Sequence, residues 1–168
     1  MNFEAPQLYT TRANELPLSG QALLDLMSAV LSKGVPFRFK ARGWSMAPFI
    51  QDGDVITIAP VENKKPGVGD VVAFTRPDSG NLVVHRIVAK RQNHVLIVGD
   101  SIPEHPDGAI PLNNLLGQVT CIRRAQKRIW LGLGPERFLI AWLSRADLLL
   151  LLRKRFATCR NHFSIKDK

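Results

Sequence analysis

The pattern of apolar and polar positions changes its period near residue 36. Before this point the apolar residues recur at helical spacing, and they are Leu23, Leu24, Met27, Val30 and Leu31. This spacing predicts an amphipathic helix over about 21–33. Ser19 can cap its start, and Gly34 suits its end. The preceding segment 1–17 is polar and contains two prolines, which is typical of a loose leader.

After residue 36 the apolar residues come in short runs, several of which alternate with polar residues as half-buried β-strands do. We predict six strands, over 37–41, 54–58, 70–74, 82–89, 94–98 and 116–122. Gly, Pro, Asn and Asp residues punctuate the joints between them. Six short strands without intervening helices indicate a mainly β fold, a partly closed antiparallel β-barrel.

The composition changes again toward the carboxyl end, and the chain divides into four parts. We expect a leader over 1–17, a helix packed on the barrel over 18–35, the β domain over 36–125, and a basic amphipathic extension over 126–168. Residues 1–120 carry 11 basic and 11 acidic side chains, whereas residues 121–168 carry 12 basic and 3 acidic ones. A neutral body with a cationic tail is not typical of a protein that coats nucleic acid, so we expect no nucleic-acid partner.

The extension combines apolar clusters with basic residues. Trp130 and Trp142 lie in or beside these clusters, and the basic run 153–155 follows a run of five leucines at 148–152. We predict that residues 129–156 form one or two amphipathic helices that bind an anionic membrane surface peripherally. The alternative is that the same residues pack on the barrel or on a partner protein.

Targeting segments and metal ligands have weak signals in this chain. There is no run of about twenty uncharged apolar residues and no charged start followed by an apolar run. We therefore expect neither a spanning helix nor a cleavable signal peptide, and a peripheral membrane or cytoplasmic location. Cys121 and Cys159 have no ligand-like spacing. His94 and His162 have no ligand-like partners, and His105 lies beside two prolines in a predicted loop. We expect no metal and no cofactor.

One predicted turn can carry chemistry. The segment Gly43-Trp-Ser-Met-Ala-Pro48 follows a strand, and Gly43 and Pro48 shape a turn that can lift the Ser45 hydroxyl out of the sheet. Backbone N–H groups near such a serine can form part of an oxyanion hole. Met46 is expected to support the turn by packing. A serine between Gly and Pro is more often only a turn, so the surrounding motifs decide its interpretation.

Those motifs resemble the signal-peptidase and LexA-type serine peptidase superfamily. Five of them stand in the same order as in that superfamily, over about 39–122: Gly-x-Ser-Met-x-Pro at 43–48, Asp-Gly-Asp-Val at 52–55, Gly-Asp-Val-Val-x-Phe at 69–74, Val-His-Arg-Ile at 84–87, and Gly-Asp at 99–100. The resemblance implies a β-rich peptidase with Ser45 as its nucleophile. It also implies a substrate that is an extended peptide with small residues before the cleaved bond.

The residue at the base position separates the branches of this superfamily. The base is Lys in bacterial-type signal peptidases and self-cleaving repressors, and His in the endoplasmic-reticulum, archaeal and some Gram-positive types. His85 stands at this position, so the chain is similar to the His type. Arg86 remains protonated at any relevant pH, and Lys90 is out of register. An imidazole is largely neutral at neutral pH and can accept the serine proton.

A histidine base is commonly oriented by a carboxylate. The resemblance implies an Asp a few residues after the Gly-Asp motif, and Asp107 fits this position with about one extra residue of spacing. Asp100 is the competing candidate, and Glu104 is a third choice. Signal peptidases usually have Ser or Thr where this chain has Gly43, so its oxyanion hole would depend on backbone donors.

Three functions are compatible with these features. The first is a serine endopeptidase of signal-peptidase type, which would process signal peptides at a membrane. The second is a LexA-like regulatory or autoproteolytic module, which would be marked by an N-terminal DNA-binding domain, an internal cleavage segment and a Lys base. The third is a catalytically silent membrane- or partner-binding domain of the same fold.

Overall fold

The computed structural model describes residues 20–61, 65–102 and 106–145. The predicted leader and the predicted cap Ser19 lie outside these residues. The first element is α1 (Gly20–Leu31), which agrees with the helix predicted from the apolar spacing. Its inner face buries Met27 and Leu31 against the sheet.

Eight strands follow α1 and form one antiparallel sheet, which confirms the mainly β prediction. They are β1 (Phe37–Lys40), β2 (Val55–Pro60), β3 (Val71–Thr75), β4 (Leu82–Lys90), β5 (His94–Val98), β6 (Gly108–Pro111), β7 (Leu115–Arg124) and β8 (Lys127–Ile129). Six of the eight correspond to the predicted strands within a few residues.

The sequence prediction misses β6 and β8. β6 has four residues with Gly and Pro at its ends, and β8 has three residues of which two are charged. Both compositions are unfavourable for strands taken alone. Pairing with β5 and with β7, respectively, brings these segments into the sheet.

The sheet runs in the order β1-β2-β7-β3-β4-β5-β6, and β8 pairs with β7 beyond this path. Among the described strands, β1 and β6 are the two ends of this order, so the sheet is partly open. β3 lies in the middle, and its side chains alternate between two cores. Val71 and Ala73 face the core that α1 covers, whereas Val72 and Phe74 face a second core. This two-sided burial explains why the first four residues of β3 are all apolar.

The carboxyl-terminal helix α2 (Arg137–Arg145) lies against β4. Its buried residues Ile140 and Ala141 pack on Phe49 and on Val88 of β4, respectively. The described part of the extension therefore packs on the sheet. The leucine run at 148–152 and the basic run at 153–155 lie outside the described residues.

The outer side of α2 is apolar as well. Phe138, Leu139 and Trp142 are more than half exposed, as are Trp130 and Leu131 in the preceding loop. None of the helices within 20–61, 65–102 and 106–145 has the length and apolar character that crossing a membrane requires.

Candidate active site

Ser45 lies in a turn of residues 43–51, here called the serine turn, which joins β1 to β2. Gly43 has a φ of +94°, a left-handed conformation that glycine adopts without strain. Its N–H donates to the Asp52 carboxylate over 2.9 Å. Met46 is buried in the core below α1, whereas Pro48 is exposed. The turn thus places a half-exposed Ser45 above the packed core.

Asp54, from the Asp-Gly-Asp motif, supports the same turn. Its carboxylate accepts the Gln51 N–H over 2.8 Å and two bonds of 2.8 Å from Arg124 of β7. Arg124 also donates to the Phe49 carbonyl. Burial raises the pKa of Asp54, but the bonds from Arg124 and Gln51 outweigh burial and hold this pKa below its ordinary value. The motif is therefore a scaffold for the serine turn.

His85 brings its imidazole to Ser45 from β4. The side chain is buried, and its Nε2 lies 2.8 Å from the Ser45 Oγ. β3 pairs with 82–86 of β4, and β5 pairs only with 86–90. Among the described strands, the second edge of β4 is therefore unpaired over 82–85, beside the serine turn.

Asp107 contacts the other imidazole nitrogen, since its Oδ2 meets the Nδ1 of His85. The Asp107 side chain is fully buried, and its backbone N–H donates to the Ile97 carbonyl of β5. Burial raises the pKa of this carboxyl, but the contacts with His85 and Arg76 outweigh burial and keep the pKa below its ordinary value. Ser45, His85 and an ionised carboxylate thus lie in line.

Asp100 lies elsewhere, which corrects its place among the candidate catalytic residues. Its carboxylate accepts two bonds of 2.8 Å from Arg86, and both side chains are completely buried. Arg86 also donates to the carbonyls of Gly69 and Gly132. Successive residues of a strand face opposite sides, so β4 directs His85 to the cleft and Arg86 to the interior. Glu104, the third candidate, lies outside the described residues.

The Asp100 turn, residues 99–101, is hydrogen-bonded to the backbone of the serine turn. The Ser101 N–H donates to the Ser45 carbonyl over 2.8 Å, and the Ser101 hydroxyl donates to the Trp44 carbonyl over 2.6 Å. A Cβ at Gly99 would lie 2.9 Å from the Ser45 carbonyl oxygen and 3.1 Å from the His85 Nε2. Glycine is therefore required where this turn passes beneath the Ser45–His85 contact.

Gly99→Ala is expected to separate activity from stability. The added methyl must displace either the serine turn or the imidazole, and misplacing a reacting group by about 1 Å can cost on the order of 100-fold in rate. We expect a loss of this size in Ser45 reactivity toward a fluorophosphonate probe, with cooperative unfolding retained. Gly67→Ala is the matched control for labelling, because Gly67 lies outside the cleft and no atom lies within 4 Å of the added Cβ. Equal labelling of the two variants would contradict the tight packing at Gly99.

A cleft of about 560 Å³ opens beside Ser45 and His85. One wall is formed by 39–43 and the start of α1, and the other by 82–84 of β4 together with Arg76. Within the described residues, no acceptor contacts the backbone N–H of Ser45. A free backbone N–H at the nucleophile is a candidate donor for the negative charge that develops on a bound carbonyl.

The sequence analysis missed the arginines that complete this site. Each of three arginines pairs with one aspartate: Arg76 with Asp107, Arg86 with Asp100, and Arg124 with Asp54. A buried carboxylate is unfavourable without a cation or hydrogen-bond donor beside it. The Asp motifs therefore indicate that partner cations exist, but not which residues supply them. Residues 20–61, 65–102 and 106–145 contain no group of His, Cys, Asp and Glu side chains that could hold a metal ion.

The sequence also matches a known protein family. Residues 12–120 match the family described as Peptidase S24-like, and the match includes Ser45, His85 and Asp107. This span is more than half of the 168 residues. No curated protein matches the chain.

Proposed function

Because this chain belongs to the Peptidase S24-like family, whose fold is that of serine peptidases and LexA-like autoproteases, we propose that it is a serine endopeptidase. It would cleave an extended peptide through an acyl-enzyme. The observation that carries this proposal is the contact of the Ser45 Oγ with the buried His85 Nε2, at 2.8 Å, while Asp107 contacts the opposite nitrogen. A nucleophile, its base and an orienting acid are the parts that such a mechanism needs.

In the acylation half, the Ser45 Oγ attacks the carbonyl carbon of the peptide, and the hydroxyl proton passes to the His85 Nε2. The oxygen of the tetrahedral intermediate is negatively charged, and we assign the Ser45 backbone N–H as its donor. When the C–N bond breaks, the protonated imidazole gives its proton to the leaving amine. The acyl part remains on Ser45 as an ester.

In the deacylation half, the imidazole accepts a proton from water, and the resulting hydroxide adds to the ester carbonyl. Collapse of this second intermediate releases the carboxylic acid product and returns the proton to the Ser45 Oγ. Asp107 accepts the Nδ1–H bond throughout, which keeps Nε2 available on the serine side.

The finer assignment is a peptidase of the signal-peptidase type in its His branch, which would process signal peptides. His85 at the base position favours this branch over the Lys-dependent repressors. The edge of β4 over 82–85, which no other described strand pairs with, favours an extended substrate, because a peptide can add there as a further strand. Small residues before the cleaved bond are what the family resemblance implies for the substrate.

The decisive experiment measures labelling of Ser45 by a fluorophosphonate probe and cleavage of a synthetic peptide library, both with the full chain. We expect Ser45→Ala to abolish both signals and His85→Ala to reduce both by at least about 100-fold. Ser79→Ala is the control, because Ser79 is an exposed turn serine. Labelling or cleavage that persists in Ser45→Ala would reject the assignment and favour a catalytically silent domain.

A LexA-like self-cleaving module is the second candidate. Gly20 and Gln21 at the start of α1 line the same cleft as Ser45, so the chain that precedes α1 is attached next to the site. Self-cleavage would appear as a shortened chain whose first-order rate does not depend on protein concentration. Ser45→Ala would abolish it, whereas cleavage of added peptides only would favour the endopeptidase.

We also propose that the extension binds an anionic membrane surface. The support is the exposed apolar side of α2 and its preceding loop, together with the basic run at 153–155 in the sequence. Aromatic side chains and leucines supply a salt-insensitive part of such binding, and basic residues near the surface add about 1 kcal/mol each at low salt.

Vesicle co-sedimentation of the full chain tests this binding. We expect Phe138→Ser combined with Trp142→Ser to weaken sedimentation with phosphatidylserine vesicles, and Leu26→Ser on α1 to leave it unchanged. Removing the whole extension is unsuitable, since Ile140 and Ala141 belong to the packed interior. No sedimentation of the unaltered chain, or equal sedimentation of all variants, would reject the proposal.

A further inference from the structure

Arg76 is a charged residue of the cleft that the mechanism above does not use. It directly follows β3, and its backbone is held in the turn that leads to β4. Its N–H donates to the Asn81 carbonyl over 3.0 Å, and its carbonyl accepts the Gly80 N–H over 2.9 Å. From this fixed position its guanidinium reaches Asp107, which precedes β6.

The carboxylate of Asp107 is divided between two partners. Its Oδ1 accepts from both the Nε (2.9 Å) and the terminal NH2 of Arg76, whereas its Oδ2 contacts the His85 Nδ1. The Asp107 side chain has no exposure to solvent, and that of Arg76 is 37% exposed. Rotation of the carboxylate away from the imidazole would therefore break two charge-assisted bonds.

We propose that Arg76 is a positioning residue, which holds the Asp107 carboxylate ionised and oriented while the His85 imidazole gains and loses the serine proton. This inference rests on the proposed peptidase function. When the imidazole is neutral, Arg76 is the cation that compensates the buried carboxylate, and an uncompensated buried charge is strongly unfavourable. When the imidazole is protonated, the partly exposed guanidinium is screened by water, which limits its repulsion of the imidazolium.

Electrostatics at Asp107 supports this role. Among the described residues, the charged or titratable groups that face the carboxylate are Arg76 from the β3–β4 turn and His85 from β4. β5 contributes only the Ile97 carbonyl, which accepts the Asp107 N–H. Since burial alone raises the pKa of Asp107, and contacts with His85 and Arg76 lower it, loss of Arg76 must move this pKa upward.

Two substitutions separate the charge of Arg76 from its geometry. Arg76→Gln keeps a hydrogen-bond donor without the charge, whereas Arg76→Lys keeps the charge without the forked donor. We expect the acidic limb of the pH profile of Ser45 labelling to move to higher pH in Arg76→Gln, because the Asp107 carboxylate loses a neighbouring cation. In Arg76→Lys the limb stays near its original position, and the plateau falls. Arg91→Gln, at an exposed turn, is the control.

A second readout does not depend on peptidase activity. The carboxyl carbon of Asp107, followed by 13C NMR across pH in the full chain, should titrate at higher pH in Arg76→Gln than in the unaltered protein. In Arg76→Gln, the labelling plateau could fall while the acidic limb and the Asp107 titration both stay in place. That result would overturn the inference and leave Arg76 with a packing role. An Asp107 shift without any Ser45 labelling would instead uphold the charge role and reject the peptidase.

Discussion

Asp107→Asn lowers the rate of Ser45 labelling and of peptide cleavage by about 10⁴-fold if Asp107 orients the imidazole as proposed, which is the size of the effect in a serine triad. The neutral amide can donate its NH₂ group to Nδ1, and the imidazole then carries its proton on Nε2, the nitrogen that must accept the serine proton. The loss should be largely confined to activity, because an amide has nearly the same volume as the carboxylate it replaces.

The measurement is kcat/KM on a cleaved peptide, or the second-order labelling constant where no peptide is yet found. Asp78→Asn is the matched control, since Asp78 lies in the exposed β3–β4 turn. A decrease of less than about tenfold in Asp107→Asn would show that His85 does not depend on this carboxylate. In that case the site would operate as a Ser/His pair.

Arg86→Met destabilises the fold by about 3–5 kcal/mol, since it leaves the Asp100 carboxylate buried without a counter-ion. Arg86 and Asp100 are the fully buried ion pair among the described residues. Arg86 also joins β4 to the Gly69 and Gly132 carbonyls. Its removal therefore uncouples the Asp100 turn from the loop that precedes α2.

Urea unfolding of Arg86→Met, of Asp100→Leu and of the double variant measures this effect. Arg42→Met is the control, because Arg42 is mostly exposed and lies 3.7 Å from Asp52, and exposed ion pairs contribute about 0–1 kcal/mol. Adding Asp100→Leu to Arg86→Met should recover part of the lost stability. Equal losses in Arg86→Met and Arg42→Met would contradict the structural role of the buried pair.

The sequence does not determine which of the two carboxylates, Asp100 or Asp107, contacts the His85 imidazole. Asp100 and Asp107 both follow the strand after His85, and seven residues of loop do not specify which side chain turns toward the imidazole. Arg86 engages Asp100, whereas Arg76 and His85 engage Asp107. The outcome depends on which cation each carboxylate meets in the folded chain. The arginine partner of Asp100 is 14 residues away in the sequence, and that of Asp107 is 31 residues away.

The charge distribution was also only partly informative. The excess of basic residues after residue 120 is a property of the sequence, but not all of it is free charge. Arg124 and Arg137 pair with Asp54 and Asp70 of the neutral body. The cations of the tail thus partly serve as counter-ions for the barrel, and this follows from the packing of β7 and α2.

The sequence by itself determined the mainly β fold, the amphipathic helix before it and the family to which the chain belongs. Local periodicity and short motifs predict these features, because side-chain alternation and turn chemistry act over a few neighbouring residues. Only the tertiary structure decided the two short strands β6 and β8, the separation of Asp107 from Asp100, and the arginine partner of each aspartate. These depend on pairing between distant segments, where burial makes a carboxylate unstable until a cation from another strand or loop reaches it.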